Sequence, residues 1–114
     1  LSVLQCDVAN CGGLTGARKI AALAEAYFIP FAPHNPNGPL ATLASGHLLA
    51  AIPNAYLLET VGAPDDGALW AELVDDPPVI ERGVLTLREK PGLGAAFLPD
   101  APTRHPPLSV TGTR

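Results

Sequence analysis

The chain has 114 residues, enough for one small domain with a usable core. At 47% hydrophobic and 16% charged residues, it has the make-up of a globular chain rather than a disordered one. A net charge of −4 with no lysine or arginine cluster argues against nucleic-acid binding, and the most apolar stretch, Pro39 to Pro53, is too short to cross a bilayer.

Ser2 to Cys6 is a short apolar run suited to a strand, closed by Asp7. The turn signal NCGG follows, and Thr15 is placed to cap a helix from about Gly16 to Tyr27. In that helix Ala17, Ile20, Ala21, Ala24, Tyr27 and Phe28 recur at three- and four-residue steps, an apolar stripe of helical period. Gly12 and Gly13 fit a tight turn better than a phosphate loop, because no full glycine-rich nucleotide motif surrounds them.

Ile29 to Ala32 reads as a second strand, ending at Pro33-His34. Prolines at 33, 36 and 39 stop the strand, delay the next helix and hold His34 on a stiff loop. Leu40 to Ala51 reads as a helix with Leu40, Leu43, Ala44, His47, Leu48 and Ala51 on one side, so His47 is expected to be a packed structural histidine. Ile52-Pro53-Asn54 breaks that helix, and Ala55 to Leu58 forms a third strand closed by Glu59.

The order is therefore β–α–β–α–β over residues 1–60, and each strand ends in an ionisable residue. Asp7 and His34 are 27 residues apart, and His34 and Glu59 are 25 apart. Each interval is about one βα unit, the length that joins parallel strands through a crossover helix. Parallel strands end on one rim, so Asp7, His34 and Glu59 are expected to converge there.

Residues 61–98 read as a closing segment. Asp65 to Val74 is a short helix carrying Trp70 as an anchor, and Val79-Ile80 and Val84–Leu87 are short strands around Glu81-Arg82-Gly83. Residues 99–114 read as an unstructured tail. Cys6 and Cys11 match no metal or redox spacing and are expected to be reduced thiols of a cytoplasmic protein. The chain contains no methionine, so it is expected to be a processed product or a piece of a longer protein.

Three motifs then become specific together. They are D-x4-GG-L-T-x2-R-K from Asp7 to Lys19, PHNPxGP from Pro33 to Pro39, and the IPN that precedes LLE, with ERGVLTLREKPGLG behind them. Over residues 2 to 97 this resembles the C-terminal part of the enolase superfamily. The nearest likeness is to the mandelate racemase/muconate lactonizing enzyme family and its galactonate dehydratase-like members.

The resemblance implies the last three strands and two helices of a TIM-like (β/α)7β barrel, plus a segment returning to a capping domain that is absent here. It implies that His34 takes the proton α to a substrate carboxylate and that Asp7 holds the other ring nitrogen. Glu59 would stabilise the enolate or the carboxylate. It further implies Mg2+ held by acidic residues upstream of Leu1, and a small-molecule hydroxy or sugar acid as substrate. No nucleic acid or membrane partner is implied, and homo-oligomerisation of the full-length enzyme is left open.

Dehydration of an aldonate of the galactonate type is the first activity to expect. Racemisation or epimerisation by the same half-reaction is the alternative, and a truncated, non-catalytic α/β module is the alternative of another class. The fragment alone is expected to be inactive.

Overall fold

The computed structural model describes residues 1–61 and 66–106; Asp65 and residues 107–114 of the expected helix and tail lie outside them. Prolines shape the centre of the fold. The second extended segment has Pro30 and Pro33, which carry no N–H, so its ladder is reduced to spaced contacts. Phe31 N donates to the Asn54 carbonyl at 2.8 Å, whereas Ala32 N and His34 N donate the other way, to Leu4 and Cys6 at 3.0 and 3.1 Å. The three expected strands thus appear as parallel pairings of single residues: Leu4 with Phe31, Asp7 with His34, and Phe31 with Ala55.

Two helices cover one face of these segments. The first, α1 (Gly13–Ala26), starts three residues earlier than the sequence implies. Its N-cap is Gly12 rather than Thr15, and no side chain caps it. Gly12 and Gly13 both take positive φ, 95° and 72°, which fold the chain tightly enough for the helix to begin at once. Gly16 completes the approach, since a Cβ there would run into the Cys11 carbonyl oxygen. Ala17, Ala21 and Ala24 are buried as the stripe requires, but Tyr27 and Phe28 are exposed. They lie beyond the last turn, where the helical period no longer sets their direction.

Pro39 opens α2 (Pro39–Ala50) at a position where a missing N–H costs nothing. Leu43, Ala44 and Leu48 are buried, and so are Thr42, Ser45 and Gly46, so this helix is enclosed on more than one side. Phe31, with no exposed surface, sits in a core with Val8, Ala17, Ala21, Ala44 and Leu48. Asn54 binds the units together, because its Nδ2 donates to the carbonyls of Ala21 and Ile29 at 3.0 and 3.1 Å. That contact gives the IPN triplet its structural task.

In the second described stretch, α3 (Asp66–Leu73) leads to a hairpin of β1 (Val79–Glu81) and β2 (Val84–Thr86). Arg82 and Gly83 both have positive φ, the signature of a two-residue hairpin turn, so Glu81 belongs to the strand rather than to the turn. The hairpin leans on α2: a Cβ on Gly46 would come within 2.5 Å of a Leu85 methyl carbon. His47 is half-buried, with Nε2 3.4 Å from the Leu93 carbonyl.

Trp70 and Val74 are buried, and Val74 pairs with Phe97. The expected tail contains a short helix instead, α4 (Ala101–Arg104). It is tied down by Arg104, which donates to the Glu72 carbonyl at 2.7 Å, and by His105 against the Glu72 carboxylate at 3.0 Å. Among the described residues, no helix is long and apolar enough to cross a membrane.

The end of α1 carries one strained residue. Phe28 N donates to Glu25 O and Ile29 N to Ala24 O, the paired bonds of a left-handed helix terminus. Glycine usually occupies that position, yet Phe28 holds φ 55° with its side chain almost fully exposed. Phe28→Gly should therefore raise stability by about 1 kcal/mol, read as an upward shift of the denaturation midpoint.

Candidate active site

The offset of 27 residues that pairs Leu4 with Phe31 also pairs Asp7 with His34. A constant offset keeps side chains at matching positions on the same face of the sheet. Leu4 and Cys6 turn toward the helices and pack on the core. Gln5 and Asp7 therefore project from the opposite face, together with Ala32 and His34. His34 Nδ1 stands 3.4 Å from Asp7 Oδ2, with the imidazole about half exposed and the carboxylate one-tenth exposed.

The loop behind His34 is rigid for reasons beyond its prolines. Asn35 is fully buried and its Nδ2 donates to Thr42 Oγ1 at 2.9 Å, while Thr42 Oγ1 donates to the Gly38 carbonyl at 3.2 Å. This chain fastens the PHNPNGP turn to the first coils of α2. His34 N is anchored on the other side by the Cys6 carbonyl. The imidazole therefore stands on fixed backbone.

Asp7 is heavily supported. Its Oδ1 accepts from Ala9 N at 2.8 Å, its Oδ2 from Asn10 Nδ2 at 2.8 Å, and both oxygens from Asn37 Nδ2 at 3.1 and 3.0 Å. Partial burial pushes its carboxyl up, but donors from Asn37, Ala9, Asn10 and His34 outweigh burial and hold it below the usual carboxylate range. The neighbouring Cys6 goes the other way. Its own burial, the Cys11 thiol 3.7 Å away and the Asp7 charge push it up to about 12, so it stays a protonated thiol. Both cysteines are free, as expected of reduced thiols.

Glu59 is not brought to the pair. The third segment pairs with the second only at Phe31 and Ala55, four residues before Glu59, and among the described residues no hydrogen bond or ion pair joins Glu59 to Asp7 or His34. Glu59 instead accepts from Gln5 Nε2 at 3.1 Å, across the face that carries Asp7. Asn10, Asn37 and Gln5 have no motif of their own in the sequence. The one usable signal is positional, since Gln5 is two before Asp7 on the same strand face and Asn37 is three after His34 on a proline-braced loop. Among the described residues, no group of three or more His, Cys, Asp or Glu side chains could hold a metal ion. The magnesium that the family resemblance implies does not fit these residues alone, because the Asp7 oxygens are already taken by the Ala9 N–H and by amide donors of Asn10 and Asn37.

The sequence matches the family described as enolase C-terminal domain-like over residues 1–101. It is 38% identical over 105 residues to the D-xylonate dehydratase of Haloferax volcanii, covering 92% of this chain and 25% of that protein. It is 41% identical over 100 residues to the D-galactonate dehydratase of Variovorax paradoxus, covering 82% of this chain and 26% of that one. The fold superposes on a mandelate racemase/muconate lactonizing enzyme-like protein from Rubrobacter xylanophilus with TM-score 0.78 at 41% identity, covering 92% of this chain and 27% of that one. The chain spans about a quarter of the length of the curated relatives it matches.

The hydrogen bonds at Asp7 make its charge state measurable. Its lowered pKa means that their stabilisation is present above the ordinary carboxylate range and is lost as pH falls through the folded-state value. A carbon-13 titration of the Asp7 carboxyl should give a midpoint below the ~3.9 of aspartate in short peptides, and Asp7→Asn should remove this part of the acid loss of stability. Asp7, His34 and the turns that hold them lie within the matched residues 1–101, and the chain belongs to the enolase C-terminal domain-like family.

Proposed function

We propose that the chain supplies the C-terminal part of an acid-sugar dehydratase in which His34 abstracts the proton α to the carboxylate of an aldonic acid. The observation that carries this reading is the contact of His34 Nδ1 with Asp7 Oδ2 on adjacent parallel segment ends. The identity of its relatives as xylonate and galactonate dehydratases supports the substrate class.

A hydrogen α to a carboxylate is a very weak acid, so the base must be held in position before the proton can move. With Nδ1 facing Asp7, the nitrogen left to take the proton is Nε2. The ionised carboxylate selects the tautomer with the hydrogen on Nδ1 and favours the imidazolium formed after transfer. Loss of the β-hydroxyl as water, protonated by a group outside this chain, then leaves an enol that tautomerises to a 2-keto-3-deoxy acid.

Glu59, oriented by Gln5, is assigned to the side of the site where the substrate carboxyl acquires charge. The magnesium ion of the family is assigned to ligands outside this chain. Racemisation or epimerisation shares the first proton transfer, and the names of the curated relatives favour dehydration over it.

The test is turnover by the complete protein with magnesium and a panel of aldonic acids, including xylonate, gluconate and galactonate. Formation of a 2-keto acid is the expected result. Asp7→Asn should lower kcat by less than the roughly 10²–10⁴ that a general base contributes, because the imidazole survives with weaker support. Inversion at the α-carbon without keto acid would favour the epimerase, and no reaction of any acid would favour a non-catalytic module.

A further inference from the structure

Four donor groups surround the Asp7 carboxylate, and one of them reaches both oxygens. Two carboxylate oxygens offer about four lone-pair positions, and five contacts converge on them. Oδ1 takes Ala9 N and Asn37, and Oδ2 takes Asn10, Asn37 and His34. His34, at 3.4 Å, is the longest of the five. The donors also differ in origin. Ala9 and Asn10 belong to Asp7's own turn, so they fix the carboxylate only against its own backbone.

Asn37 belongs to the other segment. It lies three residues after His34 on the loop that Asn35 and Thr42 fasten to α2, and it alone bridges both carboxylate oxygens. A donor nearly equidistant from both oxygens holds the carboxylate end-on and fixes its distance from the loop, while Ala9 N on Oδ1 and Asn10 Nδ2 on Oδ2 set its rotation. Because the donor rides on the loop that carries the imidazole, carboxylate and imidazole are referenced to one piece of backbone.

We propose that Asn37 is a positioning residue of the His34–Asp7 pair, holding the Asp7 carboxylate end-on from the loop that carries the base. This rests on the reading of His34 as the base. The other titratable groups facing Asp7 are His34 and the Cys6 thiol, with Cys11 next to Cys6 and Glu59 reached only through Gln5. Among the described residues, no lysine or arginine forms an ion pair with Asp7, so amide donors carry the task that a cation performs elsewhere.

The test uses Asn37→Leu in the complete protein, a side chain of similar size without donors, and Asn37→Asp, which keeps the shape and reverses the polarity toward Asp7. The carbon-13 titration of the Asp7 carboxyl should move upward in both variants, further in Asn37→Asp, where a like charge replaces a donor. Exchange of the substrate α-hydrogen with solvent and kcat should fall by roughly 10-fold or more, with KM changed much less, because misorientation of the pair affects the transfer and not the binding. An Asp7 titration that stays in place overturns the proposal whatever reaction the protein performs. A titration that moves while exchange and kcat stay at the wild-type level overturns it as well. Wild-type protein that exchanges no α-hydrogen sinks the dehydratase reading and, with it, this role for Asn37, whereas a moved titration would still register the Asn37–Asp7 contact.

Discussion

Parallel pairing at a fixed offset of 27 residues is the constraint on which the rest depends, since it holds at Leu4–Phe31 and again at Asp7–His34. The first pair lies among the buried residues and the second at the rim, so one register serves both core and site. A slip of one residue would move Phe31 out of the core and turn His34 away from Asp7. Burial of Phe31 against α1 and α2 thus fixes where the imidazole stands. The prolines permit this arrangement by removing competing donors; of the remaining N–H groups of the second segment, Phe31 bonds to the third segment and Ala32 and His34 to the first.

The rim above that core is organised by amide donors rather than by opposite charge. Asp7 is kept ionised by Asn37, Ala9 and Asn10 with His34 as a further contact, and these donors overcome the effect of its partial burial. The same negative charge helps to keep the Cys6 thiol protonated. The site therefore offers a carboxylate acceptor beside a neutral thiol, and the imidazole is the group with both an acceptor partner and solvent access. That combination suits a base that meets a substrate from solution.

Much of this was legible in the sequence because it is local or periodic. The helical stripes located α1 and α2 within a few residues, and the interval between Asp7 and His34 located their meeting. What was missed depends on contacts that periodicity does not encode. Thr15 looked like a cap, but two glycines with positive φ start α1 before it. Glu59 looked level with His34 because 25 is close to 27, yet the third segment pairs with the second only through Phe31 and Ala55, and Glu59 meets Gln5 instead. The tail from Pro99 looked unstructured for want of large apolar residues, whereas Arg104 and His105 fasten α4 through Glu72. Asn37 could not be singled out, since an asparagine on a proline-rich turn ordinarily serves its own backbone.

The central claim is that His34 is the group that moves the α-proton. The direct measurement is incorporation of solvent deuterium at the α-carbon of the acid substrate by the complete protein and by its His34→Asn variant, with folding checked by circular dichroism. Asparagine keeps the polarity of the side chain, and the loop shape is set by the prolines and by Asn35 with Thr42, so the fold should persist. The account predicts that exchange in the variant falls on the order of 10²–10⁴-fold or more. Exchange near the wild-type rate in a folded His34→Asn protein would contradict it and leave His34 as a loop histidine beside a well-bonded aspartate.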